Sequence, residues 1–299
     1  MKKVILFLLI SALITPCTTI STQASLVSDQ AHRVSQKKIY NKEIKQIKKL
    51  LQVHNVYANK HDLENIKALY SDNYINNDGF NKEIYFKSIK DTWDECKDLT
   101  YSTKILSANI DGDFASVTVE EKATGTVYEQ LETTAAAGEI HSKSTGIYHL
   151  AKINGKWLIS GETLLKDESS LLYGESRFMN IELEVPSQVA AGESYTATVK
   201  VDTNDSDTYI LGSIDKDLVT YPTQTPNPPM RAMPKSKVLE RIIKANTDNI
   251  PEYAVSSLAI SRAKDSAFGD YKVYMVGLAC LMKRINVIPK NNYIKTEEK

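Results

Sequence analysis

Cysteine, glycine, net charge and long apolar runs are all scarce in this 299-residue chain, and each scarcity removes a class of protein. Three cysteines are too few for a disulfide scaffold, so stability must come from packed cores. The twelve glycines form no GxGxxG or GxxxxGK loop, and HExxH, GxSxG and paired CxxC motifs are missing too. The commonest nucleotide, zinc and hydrolase signatures are thereby removed, and neither a cofactor nor a metal is expected. Lys plus Arg and Asp plus Glu both total 37, which offers no bulk attraction to nucleic acid or an anionic membrane. The first apolar run, Val4 to Ile14, is about half of the roughly twenty residues a membrane helix needs, and no later run is longer. What remains, 42% hydrophobic and 25% charged, is ordinary globular composition with room for two domains.

Lys2-Lys3, the apolar run and the polar stretch ending Thr22-Gln23-Ala24 make a three-part secretory signal over residues 1–24. The expected destination is the periplasm or the extracellular space. Ile14-Thr15-Pro16-Cys17 looks loosely like a lipobox, but proline stands where a small residue is usual, so plain export is favoured over lipid anchoring at Cys17. Residues 25–37 read as a polar linker. After cleavage only Cys96 and Cys280 remain, each in an apolar setting that suits a buried thiol.

Residues 38–176 read as one α+β domain. Ile44, Ile47, Leu51 and Tyr57-Ala58 recur at helical spacing with lysines on the opposite side. Asp62 can cap a short helix carrying Leu63 and Ile66, Asn76-Asn77-Asp78-Gly79 supplies a turn, and Asn81 can cap a helix carrying Tyr85, Ile89, Trp93 and Cys96. After Asp98 the period becomes two, which predicts strands near Thr100–Ile110, Phe114–Gln130, Ile140–Ile153 and Lys156–Leu165. Asn154-Gly155 is a strong type I′ hairpin signal.

The opening helix, the stretch Asp62-Leu63 through Ala68-Leu69-Tyr70-Ser71-Asp72-Asn73-Tyr74, and the closing hairpin Tyr148 to Ile159 resemble the nuclear transport factor 2-like (SnoaL-like) superfamily. The resemblance covers a little under half of the chain. It implies a cone in which a curved sheet wraps helices around a pocket, used by isomerases, dehydratases, small-ligand binders and noncatalytic dimers. No local motif assigns the family's catalytic acid and donor here. Tyr57, Tyr74, Tyr85, Trp93 and Tyr148 are the candidates for lining a pocket; the plainer alternative is that they are core. Glu120, Glu121 and Glu162 are the strand carboxylates best placed to face inward, although strand charges usually face water. His54 reads as a satisfied core histidine, and His61, His141 and His149 are too scattered for a metal site.

Residues 178–291 read as an all-β sandwich of about seven short strands, followed by a polar tail, 292–299. Glu184 to Thr196 resembles the opening of exported immunoglobulin-like domains, without the Cys, Trp and Cys of antibody cores. Five of the nine prolines fall between Pro222 and Pro234, which predicts a strap crossing the sandwich or covering an edge strand, or else a recognition loop. Without an assignable catalytic set, the sequence favours an exported noncatalytic binding or scaffolding protein. Its expected partners are a small apolar ligand in the cone, a second copy of the first domain, and an envelope protein or glycan on the sandwich. The alternative is a pocket isomerase, dehydratase or hydrolase using an inward carboxylate and a tyrosine.

Overall fold

The computed structural model describes residues 22–131, 134–203, 207–222, 228–265 and 271–290. The chain divides into residues 1–45 and 46–299. Helix α1 spans Thr22–Asn59, so the stretch expected as a polar linker is helical. Most of the signal-like segment and the tail beyond residue 290 lie outside the described residues. No helix among the described residues is long and apolar enough to cross a membrane.

In residues 46–299, α1 ends in a turn that leads to α2, Leu63–Lys67, capped by Asp62, whose side chain accepts from the Asn65 N–H. The chain then turns into a strand that the period-two reading missed, β1, Tyr70–Asn76, which lies parallel to β5. Tyr70, Ser71 and Tyr74 are buried while Asp72 and Asn73 are exposed, so no strict alternation marks it. Helix α3, Lys82–Glu95, starts at Asn81, whose side-chain oxygen accepts from Ile84 N–H, and buries Phe86 and Trp93. Four long strands follow: β2 Thr100–Asp111, β3 Phe114–Leu131, β4 Thr134–Ile153 and β5 Lys156–Gly174. β4 and β5 meet at Asn154-Gly155, both at positive φ as a type I′ turn requires.

The remaining strands are β6 Asn180–Glu184, β7 Gln188–Ala190, β8 Ser194–Asp202, β9 Thr208–Leu218, β10 Arg231–Ala232, β11 Val238–Lys244, β12 Glu252–Asp265 and β13 Tyr271–Ile288. They form two layers. The sheet β11-β8-β6 supplies one inner face, where Tyr195, Ala197, Val199 and Val201 alternate with outward residues, and β9, β12 and β13 supply the other. The proline-rich segment, of which 223–227 lie outside the described residues, ends in β10, which pairs with β9 through Arg231 and Ala232 and so covers that strand's edge.

Buried apolar residues gather in two clusters, one drawn from Ile47 to Ile159 and one from Leu183 to Val287. Each fully buried aliphatic or aromatic side chain contributes about 1.5–3 kcal/mol. The hydrogen bonding is not divided in the same way. Beyond Leu165, β5 continues to Gly174 and pairs with β13 from Glu168 to Gly174, giving one sheet in the order β10-β9-β12-β13-β5-β4-β3-β2. Gly174 makes this junction possible, because it sits at φ +59° and any Cβ there would collide with the Val276 carbonyl.

Candidate active site

Two bulges in β5 decide which side chains enter the interior. In a regular strand, inward-facing Trp157 and Ile159 would be followed inward by residues 161 and 163, leaving Glu162 outside. The register instead pairs Ile159 with Leu150 and Gly161 with His149, so Ser160 is extra and Glu162 falls opposite Tyr148. A second slip pairs Leu164 with Gly146 and Lys166 with Thr145, which brings Asp167 opposite Ser144 on the same face. Asn77 holds this stretch: its N–H donates to the Glu162 carbonyl at 2.9 Å, and its side-chain oxygen accepts from Leu164 N–H at 2.9 Å.

The inner face then reads as rows across the strands. One row is Ala108, Val117, Tyr148 and Glu162; another is Thr103, Glu121, Ser144 and Asp167. On the far side of the sheet, Arg284, Tyr253 and Asp217 are register partners on β13, β12 and β9. The two groups of strands meet at the Tyr253 hydroxyl, which donates to Asp167 Oδ2 at 2.6 Å.

Glu162 is the centre of the arrangement. The hydroxyls of Tyr74 and Tyr85 both donate to its Oε2, at 3.3 and 3.2 Å, while no hydrogen bond of the described residues reaches Oε1. Burial, helped by the nearby charge of Glu121, pushes its carboxyl from the usual 4.5 up to about 7, against the lowering effect of the two phenols. Glu121 is raised as well, by burial, and accepts from Tyr148 at 3.1 Å and Thr103 at 3.0 Å. Burial raises the phenols of Tyr70, Tyr74, Tyr85 and Tyr148 far above their ordinary range, so at neutral pH they stay protonated and keep a hydrogen to donate. His54 on α1 is buried, meets the Tyr70 hydroxyl at 2.8 Å and is lowered to about 4 by burial, so it is neutral at pH 7.

Of the five aromatics singled out from the sequence, the structure brings Tyr74, Tyr85 and Tyr148 to the two carboxylates. Trp93 is elsewhere, donating to the Tyr101 hydroxyl at 2.9 Å and stacked on His61 with centroids 4.7 Å apart. Tyr57 packs half-buried against the core. Glu121 and Glu162 face inward, whereas Glu120 pairs with Lys143 on the other face. His61 meets the Leu99 carbonyl and His149 meets Thr163, so the histidines stay apart, and no group of three metal-ligating side chains occurs among the described residues. Cys96 is buried, Cys280 is half-buried, and both are free thiols.

Glu162 and Tyr85 also line a cleft of about 400 Å³ bounded by Asp78, Asp167, Asp217, Tyr221 and Tyr253. Asp78 forms a buried pair with Arg284, whose Nη1 lies 3.2 Å from Oδ2 and whose Nη2 bonds Oδ1. Tyr221 donates to Asp91 Oδ2 at 2.6 Å and carries the Lys87 ammonium 5.3 Å from its ring centroid, which ties the 219–222 loop to α3. Sequence reasoning missed Asp78, Asp167, Asp217, Tyr253 and Arg284. A faint signal existed for Arg284, which with Lys283 interrupts the apolar run of β13.

The chain matches no protein-family model and no curated protein. Solved structures similar to it include a type 2 hexachlorocyclohexane dehydrochlorinase, 11% identical, with 42% of this chain and 85% of that one covered at a TM-score of 0.35. A ketosteroid isomerase-like protein from Erwinia carotovora atroseptica is 15% identical over 42% of this chain and 95% of that one, at 0.33. An NTF-2 like protein of unknown function from Shewanella oneidensis is 16% identical over 41% and 98%, at 0.31.

Proposed function

We propose that residues 38–176 form a nuclear transport factor 2-like cone carrying a proton-transfer site, with Glu162 as the base and Tyr74 and Tyr85 as fixed donors. The observation that carries this reading is the Glu162 carboxyl open to a cleft on one side and held by two phenols on the other, where burial pushes it up to about 7. A group with that pKa is part ionised at neutral pH and can both accept and return a proton, which is what general base catalysis needs. The phenols remain protonated and can stabilise negative charge that develops beside the carboxylate. Asp78, Asp167 and the phenols give the cleft a polar lining, which suits a polar ligand better than the small apolar one anticipated from the sequence.

A test needs no natural substrate. In 5-nitrobenzisoxazole a base removes the ring C–H proton while the N–O bond breaks, releasing a coloured cyanophenolate. The wild-type chain should show saturable elimination whose rate rises with pH through about 7, and Glu162→Gln should abolish it. Equal rates for the two proteins would remove Glu162 from the role.

The noncatalytic reading is favoured by one observation: Tyr70, Tyr74 and Tyr148 are each 2% exposed and fill much of the cone themselves. In that reading residues 38–176 scaffold or dimerise, and residues 178–291 are an immunoglobulin-like interaction module. Export directed by the N-terminal signal belongs to both readings, and recovery of the mature chain in the cytoplasmic fraction of its host would refute it.

A further inference from the structure

We infer that the cleft takes an elongated ligand bearing an ammonium group, with Asp217 as the counter-ion at the end remote from Glu162. The inference rests on the cleft being the ligand site of the proton-transfer reading, and adds the class of ligand.

Three observations support it. First, the cleft is lined by four carboxylates, Asp78, Glu162, Asp167 and Asp217, and by no lysine, arginine or histidine among the described residues. Second, three of these are already served. Asp78 has Arg284, Asp167 has the Tyr253 hydroxyl, and Glu162 has Tyr74 and Tyr85. Asp217 is not: it is only 9% exposed, yet no side chain of the described residues bonds to its carboxylate, which has the neighbouring Leu218 N–H alone. Its carboxylate opens on the cleft, where a cation would favour the charged form against the desolvation that raises its pKa. Lys216, its basic neighbour in sequence, is turned to other partners, donating to the Lys244 carbonyl and approaching Glu252, and Arg241 pairs with Asp215.

Third, the sheet fixes the spacing. Asp217 pairs with Tyr253 and Tyr253 with Arg284, and β5 follows β13 in the sheet, so three strand spacings, roughly 14 Å, separate Asp217 from β5. β5 pairs with β13 only from Glu168 to Gly174, and Glu162 lies further along it, where Asn76 of β1 is its partner, so the two carboxylates are offset along the strands as well as across them. A ligand that meets Asp217 with an ammonium and presents its reacting end to Glu162 is therefore extended. An anion, such as a phosphate or carboxylate ester, would meet net negative charge along the whole wall.

The test compares 4-phenylbutylamine, 4-phenylbutanol and 4-phenylbutanoate, which share length and apolar bulk and differ in the charge of one end. Binding to the full mature chain is followed by amide chemical shifts of the protein. The amine should bind about tenfold more tightly than the alcohol, and the acid more weakly than either. Asp217→Asn should erase the preference for amine over alcohol without changing alcohol affinity. Equal binding of amine and acid by the wild-type chain would overturn the inference without recourse to any variant, as would absence of amine binding at low millimolar concentration or a preference that survives Asp217→Asn. The readout is binding alone. An amine preference that persists in Glu162→Gln while benzisoxazole elimination is absent from the wild type would sink the catalytic reading and leave the ammonium site standing.

Discussion

Replacing Glu162 by glutamine keeps the side chain's shape and an acceptor oxygen for Tyr74 and Tyr85, while it removes the charge and turns the other oxygen into an NH2 donor. In the folded chain the carboxyl titrates at about 7 rather than 4.5. Because the folded pKa is the higher one, the ionised form is penalised on folding. The penalty is absent well below the unfolded pKa, where both states are protonated; it grows through the window between the two values and is complete above the folded one. A displacement from 4.5 to about 7 corresponds to roughly 3 kcal/mol at full ionisation. Glu162→Gln should accordingly be about as stable as wild type at roughly pH 4 and more stable by about 2–3 kcal/mol at roughly pH 8, a gain that a residue kept for chemistry gives up. Urea unfolding at the two pH values measures it. Equal stability changes at both, or a loss at the higher one, would show that the interior does not penalise this charge and would refute the reasoning.

Glu121→Gln should lower the pKa of Glu162, since the Glu121 charge is the second cause of its elevation; a carboxyl titration that does not move would separate the two groups. Arg284→Met strands the buried carboxylate of Asp78 and should cost about 3–5 kcal/mol in urea unfolding, much of it recovered by adding Asp78→Asn. Trp93→Ala should cost about 3–5 kcal/mol by leaving a cavity beside His61, yet leave the Glu162 titration in place, because Trp93 lies outside the carboxylate cluster. Gly174→Ala forces a side chain into the Val276 carbonyl and should raise hydrogen exchange along β5 and β13, where they pair, well above exchange at the β4–β5 hairpin.

The sequence carried the local elements well wherever one interaction dominates. Asp62 and Asn81 cap helices because short polar side chains reach the free N–H groups of the first turn, and Asn154-Gly155 closes a hairpin because both residues tolerate positive φ. Inward orientation was less legible. Glu162 faces the interior only because Ser160 is bulged, and Asp167 only because Leu165 is bulged as well, and bulges depend on partners distant in sequence: Ser160 donates to the His149 carbonyl, and Asn286 donates to the Leu165 carbonyl. Asn76 and Asn77 read as turn residues, and Asn76 does accept from Asp78 and Phe80 N–H. Their second role, pinning β5 beside Glu162, has no local mark. β5 was expected to end near Leu165, since the run from Lys166 to Ser170 is polar, and its continuation to Gly174 rests on pairing with β13, which no periodicity reveals. The cleft acids from the second half of the chain, above all Asp217, were invisible for that reason.

The central claim is that the interior holds a carboxyl poised at neutral pH, and site-resolved carbon NMR of the Glu162 side chain across a pH titration tests it most directly. A midpoint of about 7, shifting downward in Glu121→Gln, is the result expected. A midpoint near 4.5, the ordinary range of a solvated glutamate, would contradict the account.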